Sequence, residues 1–406
     1  MPATLLDDNT IYVFALGLLK GVGPQNHRAL VSRFPLCQEF ETASIQVLEK
    51  VLRSALASSV YAQVHSSAWD GLLAQAKTTL QRHLKLGIMP IPITSPAYSP
   101  LLEQIPDPPV MLYAKGNISL LQHLNSVAIV GTREPTPKGT TVARHLAHYL
   151  AQQQYCIVSG LAKGVDTAAH EGALEVQGKT IAVYATPLDT VYPAENRGLA
   201  KRILDAGGLV ISEIPLGQKS FRSAFVLRDR MQSGLSLSVI PVQTSIDGGT
   251  MHTVKFAKAQ SRLVACPVPL KDEAHLKQYE GIFSIMREAN AQTYAFRAGK
   301  VEESEILTRM QMIRWHLLSY VEQKEINYAK ATEAQASDTV PQEAHTHEQS
   351  ASAASSAVAI PSETVNSQQY EREAEKLFHD VKRQETNAPT ETSLKEPNVE
   401  PELPTA

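Results

Sequence analysis

The chain of 406 residues is long enough for two or three domains with a sizeable core, since 43% of its residues are hydrophobic. Its net charge of −3 hides an uneven distribution, because residues 331–406 hold 14 acidic and 5 basic side chains and residues 1–330 hold 33 basic and 27 acidic ones. The three cysteines form no CxxC pair, and no apolar stretch approaches the ~20 residues that span a bilayer. A disulfide framework, a cysteine zinc site and a membrane protein are thereby excluded. We expect a soluble, cytoplasmic protein without a signal peptide, whose basic body is compatible with a polyanion partner.

Residues 1–85 predict an N-terminal domain made of helices. Its clearest feature is the turn Lys20-Gly-Val-Gly-Pro24, which precedes a stretch that places Leu30 and Phe34 on one helical face. The turn resembles a helix-hairpin-helix hairpin, whose backbone N–H groups hold a DNA phosphate without reading sequence. An ordinary pair of helices with a glycine cap explains the pattern equally well, so both interpretations stay open.

Residues 86–125 form a proline-rich connector. Seven prolines fall in this stretch, and prolines at such density are incompatible with helix interiors and central strands. The short apolar run at 110–113 nevertheless predicts a strand that packs on the following domain. We therefore expect a connector docked on the core rather than a flexible linker.

Residues 126–270 alternate between strands and helices and predict an α/β domain. Continuous apolar runs too short for helices predict buried parallel strands at 127–130, 155–158, 180–184, 208–212, 238–242 and 262–265. Helical patterns fall between them at 140–153, 167–176, 197–206 and 250–260. Such alternation gives a doubly wound, mostly parallel sheet with helices on both faces. Ligands of these sheets bind beyond the carboxyl ends of the strands.

The remaining residues divide into a helical extension over 271–330 and an acidic tail over 331–406. The extension carries an apolar stripe that suits core packing or a dimer contact better than a ligand site, formed by Ile306, Met310, Ile313, Leu317 and Tyr320. The tail is nearly free of aromatic residues and rich in small and polar ones, so we expect it to be disordered. Within it, residues 370–384 place apolar side chains on one helical face, which fits either a helix that folds on a partner or a transient helix without one.

Four loops follow predicted strands, and in a doubly wound sheet they converge on one crevice. They are Gly131-Thr-Arg133, 159–163, 221–230 and 247–250. The first leaves a strand and enters a helix, where unpaired N–H groups and the helix dipole attract an anion, and its arginine favours phosphate. Together the loops supply cations, small hydroxyls and glycines that let the backbone approach a ligand, while Phe225 offers a face on which a base can stack. This combination suits a phosphodiester chain.

Patterns typical of catalysis and of metal or dinucleotide binding are weak or missing. Gly178-Lys-Thr180 resembles the end of a P-loop, but Ala173 replaces its first glycine and a strand follows it. Asp166 and His170 lie four residues apart, yet a helix-capping aspartate and a packed histidine explain them better than a metal, because no third ligand is evident. The sequence also lacks a GxSxG motif, a carboxylate cluster and a GxGxxG turn after the first strand. It therefore predicts neither an enzyme nor a cofactor or metal site.

Several of these motifs occur together in one known family. The chain resembles the DprA/Smf family of DNA-processing proteins in the stretches Val127-Ala-Ile-Val-Gly-Thr-Arg133, Ser159-Gly-Leu-Ala-Lys-Gly-Val-Asp166, Tyr192-Pro-Ala-Glu-Asn196, Ser212-Glu213 and Arg228-Asp-Arg-Met-Gln-Ser-Gly-Leu-Ser236. The resemblance implies an extended Rossmann-like fold, preceded by a helix-hairpin-helix or SAM-like domain, that binds single-stranded DNA in a basic pocket. It also implies a homodimer that hands the strand to a RecA-type recombinase during uptake of foreign DNA.

The resemblance further implies which residues bind DNA. Arg133 would contact a phosphate beside the N–H groups of Gly131 and Thr132, and Phe225 would lie against a base. The complete implied set is Gly131, Thr132, Arg133, Ser159, Gly160, Lys163, Arg222, Phe225, Arg228, Arg230, Gly249 and Thr250.

The chain departs from the family pattern at the centre of this set. The usual Arg-Asn-Arg is Arg228-Asp-Arg230 here, which places a negative charge near the expected phosphate path. Gln243 stands where a glutamate is usual, and Gly248-Gly-Thr250 replaces a Ser-Gly-Ser loop. No winged-helix domain is recognisable after the α/β domain.

The leading hypothesis is a non-enzymatic protein that binds and protects incoming single-stranded DNA and loads a recombinase. The alternative is a nucleotide sensor or nucleotide phosphoribohydrolase of a related fold, for which Glu213 is the nearest candidate carboxylate. A third possibility is an adaptor that acts mainly through residues 331–406.

Overall fold

The computed structural model describes residues 6–218, 223–288, 293–298 and 304–314. The acidic tail predicted over 331–406 and its proposed helix at 370–384 lie outside these residues. The N-terminal part is helical, as predicted, with α1 (Asp8–Leu16), α2 (Pro24–Arg33), α3 (Cys37–Glu41), α4 (Ile45–Glu49), α5 (Ser54–Val64) and α6 (Ser67–Lys85).

An aromatic cluster packs these helices together. Tyr12 on α1 lies 6.0 and 6.5 Å from the ring centroids of Phe40 and Trp69, and its hydroxyl donates to the carbonyl oxygen of Phe34 at 2.8 Å. The same hydrophobic core continues onto Tyr113 of the sheet. The N-terminal helices and the sheet are therefore held by shared apolar burial.

The turn between α1 and α2 has the form of a glycine-capped helical hairpin. Gly21 adopts a φ of +88°, a conformation that costs glycine little. Gly23 caps α2, and Pro24 occupies its first turn, where a missing N–H costs nothing.

Nine strands form one sheet in the order β1-β2-β6-β5-β4-β3-β7-β8-β9. β2 pairs antiparallel with β1 and β6, and all other pairs are parallel. The strands are β1 (Met89–Pro92), β2 (Met111–Gly116), β3 (Ser126–Val130), β4 (Cys156–Ser159), β5 (Thr180–Tyr184), β6 (Leu209–Ser212), β7 (Ser238–Pro241), β8 (Leu263–Pro267) and β9 (Thr293–Phe296). This confirms the predicted doubly wound, mostly parallel α/β fold.

Helices cover both faces of the sheet. They are α7 (Pro100–Glu103), α8 (Pro137–Gln152), α9 (Val165–Glu175), α10 (Arg197–Asp205), α11 (Ala224–Gly234), α12 (Thr250–Ala259) and α13 (Glu280–Arg287), with a further helix over 304–314. Alternate residues of β3 show the two layers, since Val127 and Ile129 join one core cluster while Ala128 and Val130 join the other. Burial on both faces explains why these strands read as continuous apolar runs.

Three elements correct the predictions made from sequence. The connector at 86–125 contributes β1 as well as β2, and the prolines of β1 are tolerated because it is an edge strand. Residues 293–296 of the predicted helical extension form the opposite edge strand, β9. Residues 224–234, predicted as part of a loop, form the helix α11.

The apolar stripe of the extension packs into the core where it is described. Ile306 and Met310 are 1% and 0% exposed and join the cluster that contains Phe296. Core packing is therefore the correct interpretation for these two residues. Leu317 and Tyr320 lie outside the described residues.

The strand order determines where a ligand crevice opens at the edge of the sheet. The chain runs from β3 outward through β4 and β5 to β6, then returns to the other side of β3 as β7. The connections after β3 and β7 therefore diverge, and a crevice opens outside their carboxyl ends. Among the described helices none combines the length and apolar character needed to cross a membrane. The domain boundaries at 85, 125, 270 and 330 stay predictions.

Candidate nucleic-acid interface

A crevice of about 450 Å³ opens where the loops after β3 and β7 diverge. It is lined by the turn 131–133, one face of α11, the loop 244–249 and the first turn of α12. Its volume is in the range of ligand pockets, about 300–1,000 Å³. A neighbouring cavity of about 210 Å³ shares Arg133, Phe225 and Arg228 with it and adds Gly160 and Lys163.

Backbone N–H groups at the rim of the crevice have no acceptor among the described residues. They belong to Gly131 and Arg133 on one side and to Gly249 and Thr250, at the start of α12, on the other. N–H groups at a helix start carry partial positive charge and bind anions. The Thr132 N–H was predicted to face a phosphate. It instead donates to the carbonyl oxygen of Gln243 at 2.8 Å and is not available to a ligand.

Arg133 and two aromatic rings form the exposed part of the site. The guanidinium of Arg133 lies 5.9 Å from the ring centroid of Phe225, and the ring of Tyr192 meets Phe225 edge-on at 5.5 Å. Tyr192 is 52% exposed. An exposed cation with no carboxylate partner among the described residues, beside one exposed and one half-buried ring, can hold a phosphate while a base stacks on the rings.

Arg228 lies deeper, between carboxylates. It is 8% exposed, and its Nη1 and Nε lie 3.9 and 3.7 Å from carboxylate oxygens of Asp166 and Asp229. Gly160 leaves room for the guanidinium, since a Cβ at this position would fall 1.4 Å from Nη1. The Arg228 charge is thus largely balanced within the protein.

The two carboxylates beside Arg228 differ in role. Asp166 accepts from the N–H groups of Gly160 and Ala162 at 3.1 and 3.3 Å, which fixes the loop after β4. Burial raises the pKa of Asp166 above its usual range, although Arg228 opposes this. Burial also raises the pKa of Asp229 to about 6, with Arg228 opposing and Asp166 adding to the effect.

His170 is a packed histidine, as predicted. Its Nδ1 lies 2.7 Å from the hydroxyl of Thr180. Burial and the charge of Arg228 lower its pKa to about 3, which keeps the ring neutral. Within the described ranges, no group of three acidic, histidine or cysteine side chains is arranged to hold a metal.

Lys163 stands at the mouth of the smaller cavity. Its ammonium group pairs with Glu195 at 2.5 Å, and both side chains are exposed. The loop that carries Lys163 is held by Asn196, whose Nδ2 donates to the carbonyl oxygen of Leu161 at 2.8 Å and to the hydroxyl of Thr167 at 2.9 Å. A DNA phosphate would compete with Glu195 for this lysine.

Two described residues of the implied set line neither cavity. Ser159 is buried and donates its hydroxyl to the carbonyl oxygen of Ile129 at 2.7 Å. Arg230 is 4% exposed, donates to both carboxylate oxygens of Glu213 at 2.9 Å and lies 2.9 Å from Asp107. Both are held by the fold instead of facing a ligand. Arg222 lies outside the described residues.

The engagement of Glu213 also bears on the alternative hypothesis. Both of its carboxylate oxygens accept from Arg230. A carboxylate held in this way is poorly placed to act on the ribose of a nucleotide, because catalysis would first have to break a buried ion pair.

Several residues of the site were missed from sequence. Tyr192, Gln232 and Thr244 line the cavities but were not among the candidates. Gln232 could have been found from its spacing. It lies seven residues after Phe225 and three after Asp229, so the three side chains share one face once residues 224–234 are recognised as a helix. Tyr192 precedes a proline in the loop after β5, a turn signal that points to exposure.

Comparison with known proteins places the chain in a family. The model of the DNA recombination-mediator protein A family matches residues 89–303, which is more than half of the chain. The chain belongs to this family. The predicted membership of the DprA/Smf family is thereby confirmed. The family is one of DNA-processing proteins and not of known enzymes, in agreement with the sequence.

Individual relatives support this assignment. The protein Smf of Synechocystis is 33% identical over 267 residues, which make up 62% of each chain, so less than two thirds of that relative is spanned. The DNA processing protein DprA of Bacillus subtilis is 34% identical over 56% of this chain and 77% of its own. The structure of DprA from Streptococcus pneumoniae superposes with a TM-score of 0.58 and 26% identity, covering 72% of this chain and 96% of that one.

Proposed function

We propose that the protein is a non-enzymatic single-stranded DNA-binding protein. The observation that carries the proposal is the exposed guanidinium of Arg133 beside Phe225, together with rim N–H groups that have no acceptor among the described residues. Arg133 and the rim amides would hold phosphates, and Phe225 would stack a base. Arg228 would act from below by offsetting the negative charge of the buried carboxylates.

A strand fits this site better than a lone nucleotide. The 450 and 210 Å³ cavities share Arg133, Phe225 and Arg228 in their linings, so they are neighbours that could serve as successive subsites for one strand. The half-buried ring of Phe225 and the exposed ring of Tyr192 are accessible to unpaired bases, whereas a duplex hides its bases in the stack. We expect single strands to be preferred over duplex.

Titration of a labelled oligothymidine, followed by fluorescence anisotropy over a range of salt, tests the proposal. Arg133→Ala should weaken binding about tenfold or more and reduce the slope of log K against log salt by about 0.7, the effect of one lost phosphate contact on a single strand. Phe225→Ala should weaken binding by about 1–3 kcal/mol with little change in the salt slope, because stacking carries no charge.

Arg144→Ala is the matched control. Arg144 lies on the outer face of α8, where it pairs with Glu171, and it lines neither cavity. It should leave affinity nearly unchanged. Equal losses for Arg133→Ala and Arg144→Ala would mean that binding is a general effect of positive charge, and the crevice would lose its role.

The partners and domain roles follow as part of the proposal. A homodimer would raise avidity for a long strand, and the recombination-mediator family suggests delivery of protected incoming DNA to a RecA-type recombinase. The helical domain 1–85, the connector 86–125, the DNA-binding domain 126–270, the extension 271–330 and the tail 331–406 would form the functional units. Light scattering tests the dimer, and a strand-exchange assay with RecA and a tail-deleted variant tests the hand-over.

A further inference from the structure

The floor of the crevice has a chemistry opposite to that of its rim. Two side chains of α11, Asp229 and Gln232, line it from below. Oδ1 of Asp229 accepts from Nε2 of Gln232 at 2.9 Å, while Oδ2 has no donor among the described residues. Gln232 is 1% exposed and its Oε1 is buried without a donor. The rim therefore offers N–H donors, while the floor presents carboxylate and amide oxygens that lack donors, beside the buried Arg228, whose Nε has no acceptor among the described residues.

Such a floor calls for a ligand that brings N–H groups. Oδ2 of Asp229 lines the cavity without a donor among the described residues, so a ligand that supplies one gains a charge-assisted hydrogen bond. A metal cation is a poor candidate, because Arg228 already lies 3.7 Å from Oδ1 of Asp229 and the described residues hold no metal-binding group of three. A phosphate is a poor candidate as well, because the two carboxylates Asp166 and Asp229 face the single guanidinium of Arg228 there. The nucleobase is the part of a strand that remains.

The bases differ in what they present to a carboxylate. Guanine offers N1–H and the N2 amino group side by side, which matches the two oxygens of one carboxylate. Adenine and cytosine place an amino group next to an acceptor, and thymine places one N–H between two carbonyls. Charge-assisted bidentate pairs of this kind are the strong and selective ones.

We propose that the crevice floor selects one unpaired guanine, whose N1–H and N2 amino groups donate to the carboxylate of Asp229. This deepens the proposed function and rests on it, with the phosphate held at the rim. Gln232 acts as a positioning residue, since its amide fixes Oδ1 of Asp229. Phe225 lies four residues before Asp229 on the same face of α11 and is placed to cover the base.

The position of Asp229 explains how an acidic residue can lie in a DNA-binding crevice without repelling the phosphates. An aspartate on the phosphate path would repel the strand, but Asp229 lies on the floor with its side chain 14% exposed, and Arg228 stands beside it. Its pKa of about 6 leaves the carboxylate mostly ionised at neutral pH and above. It can therefore accept two hydrogen bonds from a base while the rim binds phosphate.

The test measures the affinity of the full chain for three oligothymidine strands at pH 8. One strand carries a central guanine, one carries a central hypoxanthine, and one is unmodified. Hypoxanthine keeps N1–H and lacks the amino group. The guanine strand should bind at least about fivefold tighter than either of the others. Asp229→Asn should abolish this preference, so that the three strands bind the variant with equal affinity.

Asp247→Asn serves as the matched control. Asp247 is an exposed acid in the loop after β7, so its removal changes the net charge by the same amount without touching the floor. It should retain the full guanine preference. Because the guanine and hypoxanthine comparison uses the unaltered protein, the test stands even if Asp229→Asn folds poorly.

The outcomes separate the two proposals. Equal affinity for all three strands, or a guanine preference that survives Asp229→Asn, overturns the guanine site and leaves single-stranded DNA binding intact. Failure to bind any strand overturns both. Competition by guanosine monophosphate but not by inosine monophosphate, at concentrations where thymidine monophosphate has no effect, supports the guanine site by a second route.

Discussion

Burial of Asp229 should make the protein less stable at neutral pH than an asparagine variant. Burial raises the pKa of this carboxyl from its usual 3.8 to about 6. Well below pH 3.8 the group is protonated in both the folded and the unfolded chain and has no effect on stability. Between pH 4 and 6 the unfolded chain loses its proton first, so folding becomes less favourable, and above pH 6 the full cost remains. Raising the pKa of Asp229 by roughly two units corresponds to a loss of about 3 kcal/mol in the free energy of unfolding above pH 6.

Asp229→Asn should therefore raise the melting temperature by several degrees at pH 8, at about 2–4 °C per kcal/mol, and by little at pH 4. Asparagine keeps an oxygen for the Gln232 amide, so the substitution removes the charge and preserves the bond. Asp247→Asn, at an exposed position, should show no such pH dependence. Calorimetry at both pH values is the assay. An equal change at pH 4 and pH 8, or destabilisation at both, would refute the burial argument.

Three further predictions concern residues around the site. Glu213→Ala should lower stability by about 1–3 kcal/mol in chemical denaturation, because the buried Arg230 loses two hydrogen bonds and retains Asp107 as its carboxylate partner, and adding Arg230→Met should recover part of the loss. Gly160→Ala should weaken single-strand binding about tenfold by displacing Arg228, and in an Arg228→Ala background it should have no further effect. Arg262→Met should lower stability by about 1–3 kcal/mol in thermal unfolding, because its buried guanidinium donates to two backbone carbonyls; equal stability would show that solvent replaces it.

The sequence predicted the sheet and the place of the crevice because parallel strands leave a strong signal. Strands buried on both faces must be apolar throughout, which made β3 to β8 recognisable. Their alternation with helices implied that loops at one edge converge. The edge strands β1 and β9 were missed, because an edge position tolerates prolines and needs less apolar surface.

The candidate site was predicted less well, and the helix α11 explains most of the difference. Arg228 and Arg230 look equivalent in sequence, but residues two apart on a helix point roughly 200° apart. One arginine therefore faces the crevice, while the other faces Glu213 and Asp107. If residues 224–234 had been predicted as a helix, Arg228 and Arg230 would have been assigned to different faces and different roles. The Thr132 N–H was predicted to bind phosphate but donates to the carbonyl oxygen of Gln243. These residues lie 111 positions apart, and such a contact cannot be seen in the local sequence.

The division between rim and floor suggests how binding and selectivity are separated in this protein. The rim donors are mostly backbone N–H groups, which any strand can use and which side-chain substitutions alter little. The floor acceptors are side chains on one helix, so a single substitution at Asp229 changes the hydrogen bonds offered to a base and leaves the phosphate contacts in place. Asparagine at this position would present a donor beside an acceptor and so remove the match to guanine. Base preference should therefore vary with residue 229, while the salt dependence, which reports phosphate contacts, should not.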